Sequence, residues 1–176
     1  AVDEKPGKGG AAHLLEHLMF RGTEKVPGSE FNRLMQINGA DSNAFTSLDY
    51  TAYHQSLDVS RLELAMALEA DRMANLDFSD EAFAAERDIV YQERKQVVEN
   101  QPLSAFAESL QRGLWQTHPY ARPVTGTEEE ILSLTREDVM DIYRRYYVPN
   151  NAIIVISGDI EPQTAYRLAE KYYGKV

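Results

Sequence analysis

The sequence contains no cysteine. A chain of 176 residues without cysteine forms no disulfide bond and no thiolate metal site, and it offers no cysteine nucleophile. Any metal site in this chain must therefore use histidine, aspartate or glutamate side chains.

Basic residues are also scarce. The 18 lysine and arginine residues are outnumbered by 28 aspartate and glutamate residues, which gives a net charge of −10, and no basic run stands out. Nucleic-acid binding needs clustered cations that neutralise phosphate groups, so we expect no nucleic-acid partner. The acidic surface is compatible with cationic substrates, but we interpret it as serving solubility.

Long hydrophobic runs are absent as well. No apolar stretch approaches the roughly 20 residues that a membrane-spanning helix needs, so we expect no membrane span. Hydrophobic residues still make up 43% of the chain, which is typical of a globular protein. The chain begins at Ala1 rather than at a methionine, and we expect it to be a piece of a longer protein.

Apolar spacing predicts that helices dominate the chain. A hairpin of two strands is predicted at about 42–47 and 50–57, and the β-branched run at 150–159 is predicted to be a buried central strand. The expected fold class is α+β, with a mixed or antiparallel sheet packed with several helices. The predicted helices span about 11–22, 29–39, 59–76, 79–100, 104–116 (with a possible interruption at Gly113), 135–148 and 162–174.

The first predicted helix carries the sequence HLLEH at positions 13–17. At 100° per residue, His13 and His17 lie about 40° apart around the helix, with Glu16 on the same side. Two imidazoles one turn apart can share a tetrahedral Zn²⁺ ion, and a catalytic zinc needs a third protein ligand and an open position for water. Glu16 is placed to take the proton from that water and to pass it to the leaving amine.

A second helix supplies candidates for the third ligand. Glu86 and Glu93 are seven residues apart, two turns along one face, and apolar Ile89 and Val90 between them suggest that this face points inward. A buried carboxylate is costly without a cation, and zinc would meet that need.

The bare histidine spacing leaves a second interpretation open, because a single histidine on an apolar face is usually a hydrogen-bonded core residue and two histidines four positions apart can occur by chance. The order H-x-x-E-H is nevertheless the inverted form of a zinc peptidase signature. His54 and His118 are interpreted as hydrogen-bonded side chains rather than ligands. Ser42, Thr46 and Ser47 lack a histidine–aspartate pairing, so the sequence does not support a serine nucleophile.

Six segments in order resemble the pitrilysin/insulinase family of inverted zinc metallopeptidases over essentially the whole chain. The motifs most resemble those of the members related to mitochondrial processing peptidase and of bacterial insulinase-like members. This resemblance favours a bacterial cytoplasm or periplasm over a mitochondrial matrix as the location. The segments are GGAAHLLEHLMFRGT, NAFTSLDYTAYH, EADRM, ERDIVYQE, HPYARPVTGT and YYVPNNAIIVISGD.

The resemblance implies a role for each matching residue. His13, His17 and Glu93 fall on the metal ligands, Glu16 falls on the general base, and Glu86 falls on a further glutamate that supports ligand orientation and catalysis. Asn43 and Ala44 fall on the strand segment that pairs with an extended peptide substrate. Phe45 falls on a residue that lines the pocket for the side chain next to the scissile bond, and the resemblance assigns Phe106 to the same pocket less strongly.

The resemblance also implies a zinc endopeptidase that acts on extended or unfolded peptides. Family members carry a strand before the glycine-rich loop and homologous domains after this one, so residues 1–176 are expected to be the core of one metal-binding domain. A homologous C-terminal domain or a partner subunit would close over the peptide substrate. The alternative is a non-catalytic or partner-dependent subunit of a peptidase-like complex.

Overall fold

The computed structural model describes residues 1–176, most of them in helices. One hairpin forms the sheet, which has two strands, β1 (Asp41–Thr46) and β2 (Thr51–Ser56). The helices are α1 (Ala11–Leu18), α2 (Glu30–Ile37), α3 (Leu62–Asn75), α4 (Asp80–Arg94), α5 (Pro102–Trp115), α6 (Glu128–Ser133), α7 (Arg136–Tyr146) and α8 (Pro162–Tyr173). Short 3₁₀ turns lie at Val59–Arg61, Pro119–Ala121 and Pro149–Asn151, and a π-helical turn at Lys95–Glu99.

The α+β class, the hairpin and the positions of the seven predicted helices are confirmed. The first of them is shorter than predicted, because α1 ends at Leu18, and α6 has no counterpart among the predicted helices. The Ser79 hydroxyl caps α4 by accepting the N–H of Ala82, as its position before an acidic first turn predicts. Thr135 caps α7 in the same way, because its hydroxyl accepts the N–H of Asp138. Helix α5 runs through Gly113 without the interruption that glycine suggested.

The predicted central strand at 150–159 is wrong. Residues 152–157 lie in no strand, and Ile153 and Val155 are 91% and 83% exposed. A β-branched run shows that a segment suits a sheet, but a strand exists only where another strand supplies its hydrogen bonds. The only sheet here is the β1–β2 hairpin, and this run pairs with neither strand.

The chain divides into two compact units, and the first comprises residues 1–18, 44–52 and 79–143. Its core is formed by Leu14, Leu15 and Leu18 of α1 together with Val90, Ile131, Leu134 and Val139, all of them buried. The buried carboxylate of Glu4 accepts the N–H groups of Gly10 and Ala12 at 3.3 and 2.7 Å. These bonds satisfy donors that the first turn of α1 would otherwise leave unpaired.

The second unit comprises residues 19–43, 53–78 and 144–176. Phe31 and Met35 of α2 pack on Ala65 and Leu68 of α3. The side chain of Arg72 is buried in this unit among aromatic rings. No helix of the chain is both long enough and apolar enough to span a membrane.

Candidate metal centre

Helix α1 holds three polar side chains of the HLLEH sequence within a buried segment. Leu14, Leu15 and Leu18 are fully buried and fix one side of the helix against the core. His13 and Glu16 are also buried, at 8% and 7% exposure, and His17 is half-buried. Burial of these polar groups has an unfavourable desolvation free energy, which is the expected sign of a functional site.

Glu93 of α4 brings a carboxylate oxygen to both histidines. Its Oε2 lies 3.4 Å from Nε2 of His17 and 3.8 Å from Nε2 of His13. The two imidazole rings stand 4.9 Å apart between centroids, at 77° to each other. The two Nε2 atoms and one carboxylate oxygen thus face a common point.

These three side chains fit a zinc ion. Their ligand atoms all lie within 4.8 Å of one another, and they can hold one metal ion. Zinc bonds of 2.0–2.1 Å at tetrahedral angles place neighbouring ligand atoms about 3.3 Å apart. The two separations that involve Glu93, 3.4 and 3.8 Å, are close to that value, and no two of the three ligand atoms are more than 4.8 Å apart.

Glu86 contacts the far side of the His17 ring. Its Oε2 lies 3.2 Å from Nδ1 of His17, and Glu86 is buried. When the His17 ring holds a single proton, that proton on Nδ1 is donated to this carboxylate, and the lone pair of Nε2 is then available to a metal ion. A carboxylate behind a metal-binding histidine holds the ring and its tautomer in this way.

The pKa values of the two histidines are shifted in opposite directions. Burial, reinforced by the charge of His17, lowers the pKa of His13 to about 4, so the His13 ring is neutral at pH 7 and keeps a lone pair. Burial would also lower the pKa of His17, but hydrogen bonds to Glu86 and Glu93 outweigh it and raise that pKa to about 9. The hydrogen bond from His17 lowers the pKa of Glu93. Metal binding would therefore displace a proton from His17.

Glu16 is oriented by a hydroxyl from the hairpin. The Thr46 hydroxyl donates to Oε2 of Glu16 at 2.5 Å, and it lies 3.1 Å from the Thr51 hydroxyl on the paired strand. Burial raises the pKa of Glu16, while the bond from Thr46 lowers it. One carboxylate oxygen is thus held by Thr46, and the other remains available for a reacting proton.

The expected inward face of α4 needs one correction. Val90 is fully buried, but Ile89 is 46% exposed. The buried stripe is formed by Phe83, Glu86, Val90 and Arg94. Ile89 lies 100° around the helix from Val90, which carries it beyond the edge of this stripe.

The expected substrate-binding residues lie on β1. Asn43 and Phe45 are exposed and Ala44 between them is half-buried, as the alternation of a strand requires. Phe45 packs edge to face on Tyr50, with ring centroids 5.6 Å apart. Phe106, on α5, is 64% exposed.

The remaining histidines are outside the metal cluster. His54 is exposed on β2. His118 accepts the N–H of Tyr120 at 3.1 Å, as its interpretation as a hydrogen-bonded side chain predicts.

Two residues next to the cluster, Thr46 and Arg94, are not among the residues predicted for it from the sequence. The sequence presents Thr46 only as a possible nucleophile, although period-two alternation places it on the same side of β1 as Ala44. Arg94 directly follows Glu93 and is buried, and the signal for it was the continuation of the inward face of α4.

Comparison with known families accounts for this combination of fold and residues. The family model described as insulinase (peptidase family M16) matches residues 1–128, and that of the peptidase M16 inactive domain matches residues 133–176. The chain belongs to the insulinase family. The HLLEH helix and Glu93 both lie within the first matched region.

Individual relatives of the insulinase family agree with this placement. The chain is 32% identical to the zinc protease PqqE of Helicobacter pylori over 171 residues, which is 97% of this chain. It is 34% identical to the probable mitochondrial-processing peptidase subunit beta of Schizosaccharomyces pombe over 165 residues, or 94% of this chain. The crystal structure of a protease from Helicobacter pylori superposes with a TM-score of 0.96 at 31% identity, covering 99% of this chain.

The match covers only part of each relative. The chain spans 38% of the PqqE sequence, 36% of the processing-peptidase subunit and 42% of the crystallised chain. Relatives named zinc proteases support a peptidase function in general, and zinc as the metal suited to His13, His17 and Glu93.

Proposed function

We propose that the protein containing this chain is a zinc-dependent endopeptidase that hydrolyses extended or unfolded peptides. The observation that carries this proposal is the convergence of two Nε2 atoms and one Glu93 oxygen beside a carboxylate, Glu16, that is not needed as a ligand. A catalytic zinc site requires three protein ligands and an adjacent general base, and this arrangement supplies both.

In this proposal His13, His17 and Glu93 hold the ion, and Glu86 positions His17. Zinc, when bound, supplies a Lewis acid that polarises the scissile carbonyl and acidifies a water molecule. Glu86 keeps the proton of His17 on Nδ1, so that Nε2 presents its lone pair. The burial of His13 and the low pKa that results keep its ring ready to bind at neutral pH.

Glu16 is proposed as the general base. Its carboxylate accepts a proton from the attacking water and returns that proton to the leaving amine. Thr46 holds one oxygen of the carboxylate, which limits rotation of the side chain and aims the second oxygen. Orientation matters because misplacement of a reacting group by about 1 Å can cost about 100-fold in rate.

The substrate is proposed to lie in an extended conformation along β1. Asn43 and Phe45 project from the exposed side of this strand, and Thr46, the next residue, contacts Glu16. Asn43 and Ala44 would bind the peptide backbone by main-chain hydrogen bonds. Because such bonds carry little sequence preference, we expect broad substrate tolerance. Phe45 would contact the side chain next to the scissile bond.

A partner-dependent subunit is the second candidate. The chain covers about two fifths of its relatives, one of which is named as a subunit, and residues 133–176 match a model described as an inactive domain. In this case another domain or subunit completes the cleft. Hydrolysis only after addition of that domain or subunit would favour this candidate.

Removal of zinc tests the proposal. We expect a chelator to abolish hydrolysis of an unstructured fluorogenic peptide by the protein, with or without its partner, and one equivalent of zinc to restore it. The measurement is the initial rate before chelation, after chelation and after readdition of zinc. Hydrolysis that survives complete removal of zinc would contradict the proposal.

A further inference from the structure

Arg94 is a buried cation directly beside a proposed metal ligand, and its hydrogen bonds and ion pairs are with residues outside the metal cluster. Its side chain is 8% exposed and follows Glu93 at the last position of α4. A buried guanidinium is costly unless each of its donors is used, so its partners show what it holds in place.

The guanidinium joins α4 to a distant loop and to α5. Its Nη1 donates to the carbonyl oxygen of Gly126 at 2.5 Å and to the Thr125 hydroxyl at 3.2 Å. Nη1 and Nη2 form a fork on the Glu108 carboxylate at 3.2 and 3.1 Å. Nε lies 3.5 Å from the Glu99 carboxylate and forms no hydrogen bond with it.

The loop bound by Arg94, at Thr125 and Gly126, lies against the start of α1. A Cβ atom on Gly126 would lie 2.3 Å from the carbonyl oxygen of Gly9, and one on Gly10 would lie 2.4 Å from that of Thr125. Both Gly126 and Gly10 have positive φ values, 73° and 85°. The two backbones therefore approach more closely than any residue with a side chain would permit.

Gly10 is continuous with the metal-binding helix. The carbonyl oxygen of Gly10 accepts the N–H of Leu14 at 2.9 Å. Gly10 precedes His13 by three residues. A continuous set of contacts therefore runs from Arg94 through Gly126 to the start of α1. One end of this set adjoins Glu93 and the other adjoins His13.

We infer that Arg94 is a positioning residue for the metal site: by binding the Thr125–Gly126 loop, it sets the distance between the Glu93 carboxylate and the histidines of α1. This inference rests on the proposed metal ligands and extends them to a residue that touches neither metal nor substrate. Groups that orient metal ligands from behind affect metal affinity by about 10–100-fold.

The test compares zinc affinities of Arg94→Met, Arg94→Lys and the control Arg112→Met, measured by competition with a chelator in the whole protein. Arg112 is exposed and donates to the same Glu108 carboxylate at 3.2 Å, so the control removes a cation from Glu108 without touching the loop. We expect Arg94→Met to weaken zinc binding by about 10–100-fold. Arg94→Lys should weaken it less, since an ammonium keeps the charge but not the fork.

Helix content by circular dichroism and the thermal unfolding midpoint show which variants are folded at the temperature of the titration. If Arg94→Met is unfolded, Arg94→Lys decides the question. Folded Arg94 variants that bind zinc as tightly as the wild type would overturn the inference, as would equal weakening by Arg112→Met. A wild-type protein that binds no zinc would instead contradict the proposed function.

Discussion

Replacing Glu16 by glutamine is expected to lower kcat for peptide hydrolysis by about 10²–10⁴-fold, which is the usual contribution of general acid–base catalysis. Glutamine keeps the shape of the side chain, and its carbonyl oxygen can still accept the Thr46 hydroxyl. Only the ability to take up a proton is lost. Because Glu16 is not among the three metal-holding residues, zinc content should remain that of the wild type.

The matched control for this variant is Glu24→Gln, which removes a carboxylate from an exposed position outside the cluster. It should leave both the rate and the zinc content unchanged. The measurements are steady-state rates on an unstructured peptide and zinc content of each purified variant. Rapid hydrolysis by a zinc-loaded Glu16→Gln protein would contradict the assignment of the base.

Replacing Arg72 by methionine is expected to lower the free energy of unfolding by about 3–5 kcal/mol, the usual cost of breaking a buried ion pair by removing one partner. The Arg72 guanidinium donates from Nε and Nη2 to Glu69 at 2.9 and 2.6 Å. It also lies 4.3–4.7 Å from the ring centroids of Phe20, Phe31 and Tyr53. Methionine fills much of the same space, so the loss reports on the charge rather than on a cavity.

The cost arises from the carboxylate that remains. Burial raises the pKa of Glu69, and Arg72 provides the main opposing charge. The double variant Arg72→Met, Glu69→Leu should recover much of the lost stability, because it leaves no charge buried alone.

Arg33→Met provides the matched control for Arg72→Met. Arg33 binds Glu30 with the same three-residue spacing and a similar fork, at 2.7 and 2.5 Å, but on the surface. Its removal should leave the urea midpoint unchanged, because exposed ion pairs contribute little. The measurement is urea unfolding of each variant, monitored by circular dichroism. Equal unfolding midpoints for Arg72→Met and Arg33→Met would show that the buried pair does not stabilise this unit.

The sequence predicted elements whose signals are local. Helix caps such as Ser79, the hairpin of β1 and β2, and the histidine spacing on α1 all depend on residues within a turn or two of one another. Local pattern also predicted that α4 has an inward face carrying Glu86.

Features that depend on distant partners were not predictable in this way. The apolar run at 152–157 has the composition of a strand, but nothing in its own residues shows whether a neighbouring strand is present. Ile89 and Val90 are equally apolar, and only the packing of α4 on its neighbours decides which is buried. The Arg94 contacts with Thr125 and Gly126 cross more than 30 positions of sequence, beyond the reach of any periodicity.

The most direct test of the metal site is the zinc content of the protein after dialysis against a low concentration of free zinc. We expect one zinc ion per chain in the wild type and in Glu16→Gln. We expect loss of that ion in His13→Ala, His17→Ala and Glu93→Ala, since these residues supply the three converging atoms. A Glu93→Ala protein that is folded and still binds one zinc ion with wild-type affinity would contradict the proposed ligand set.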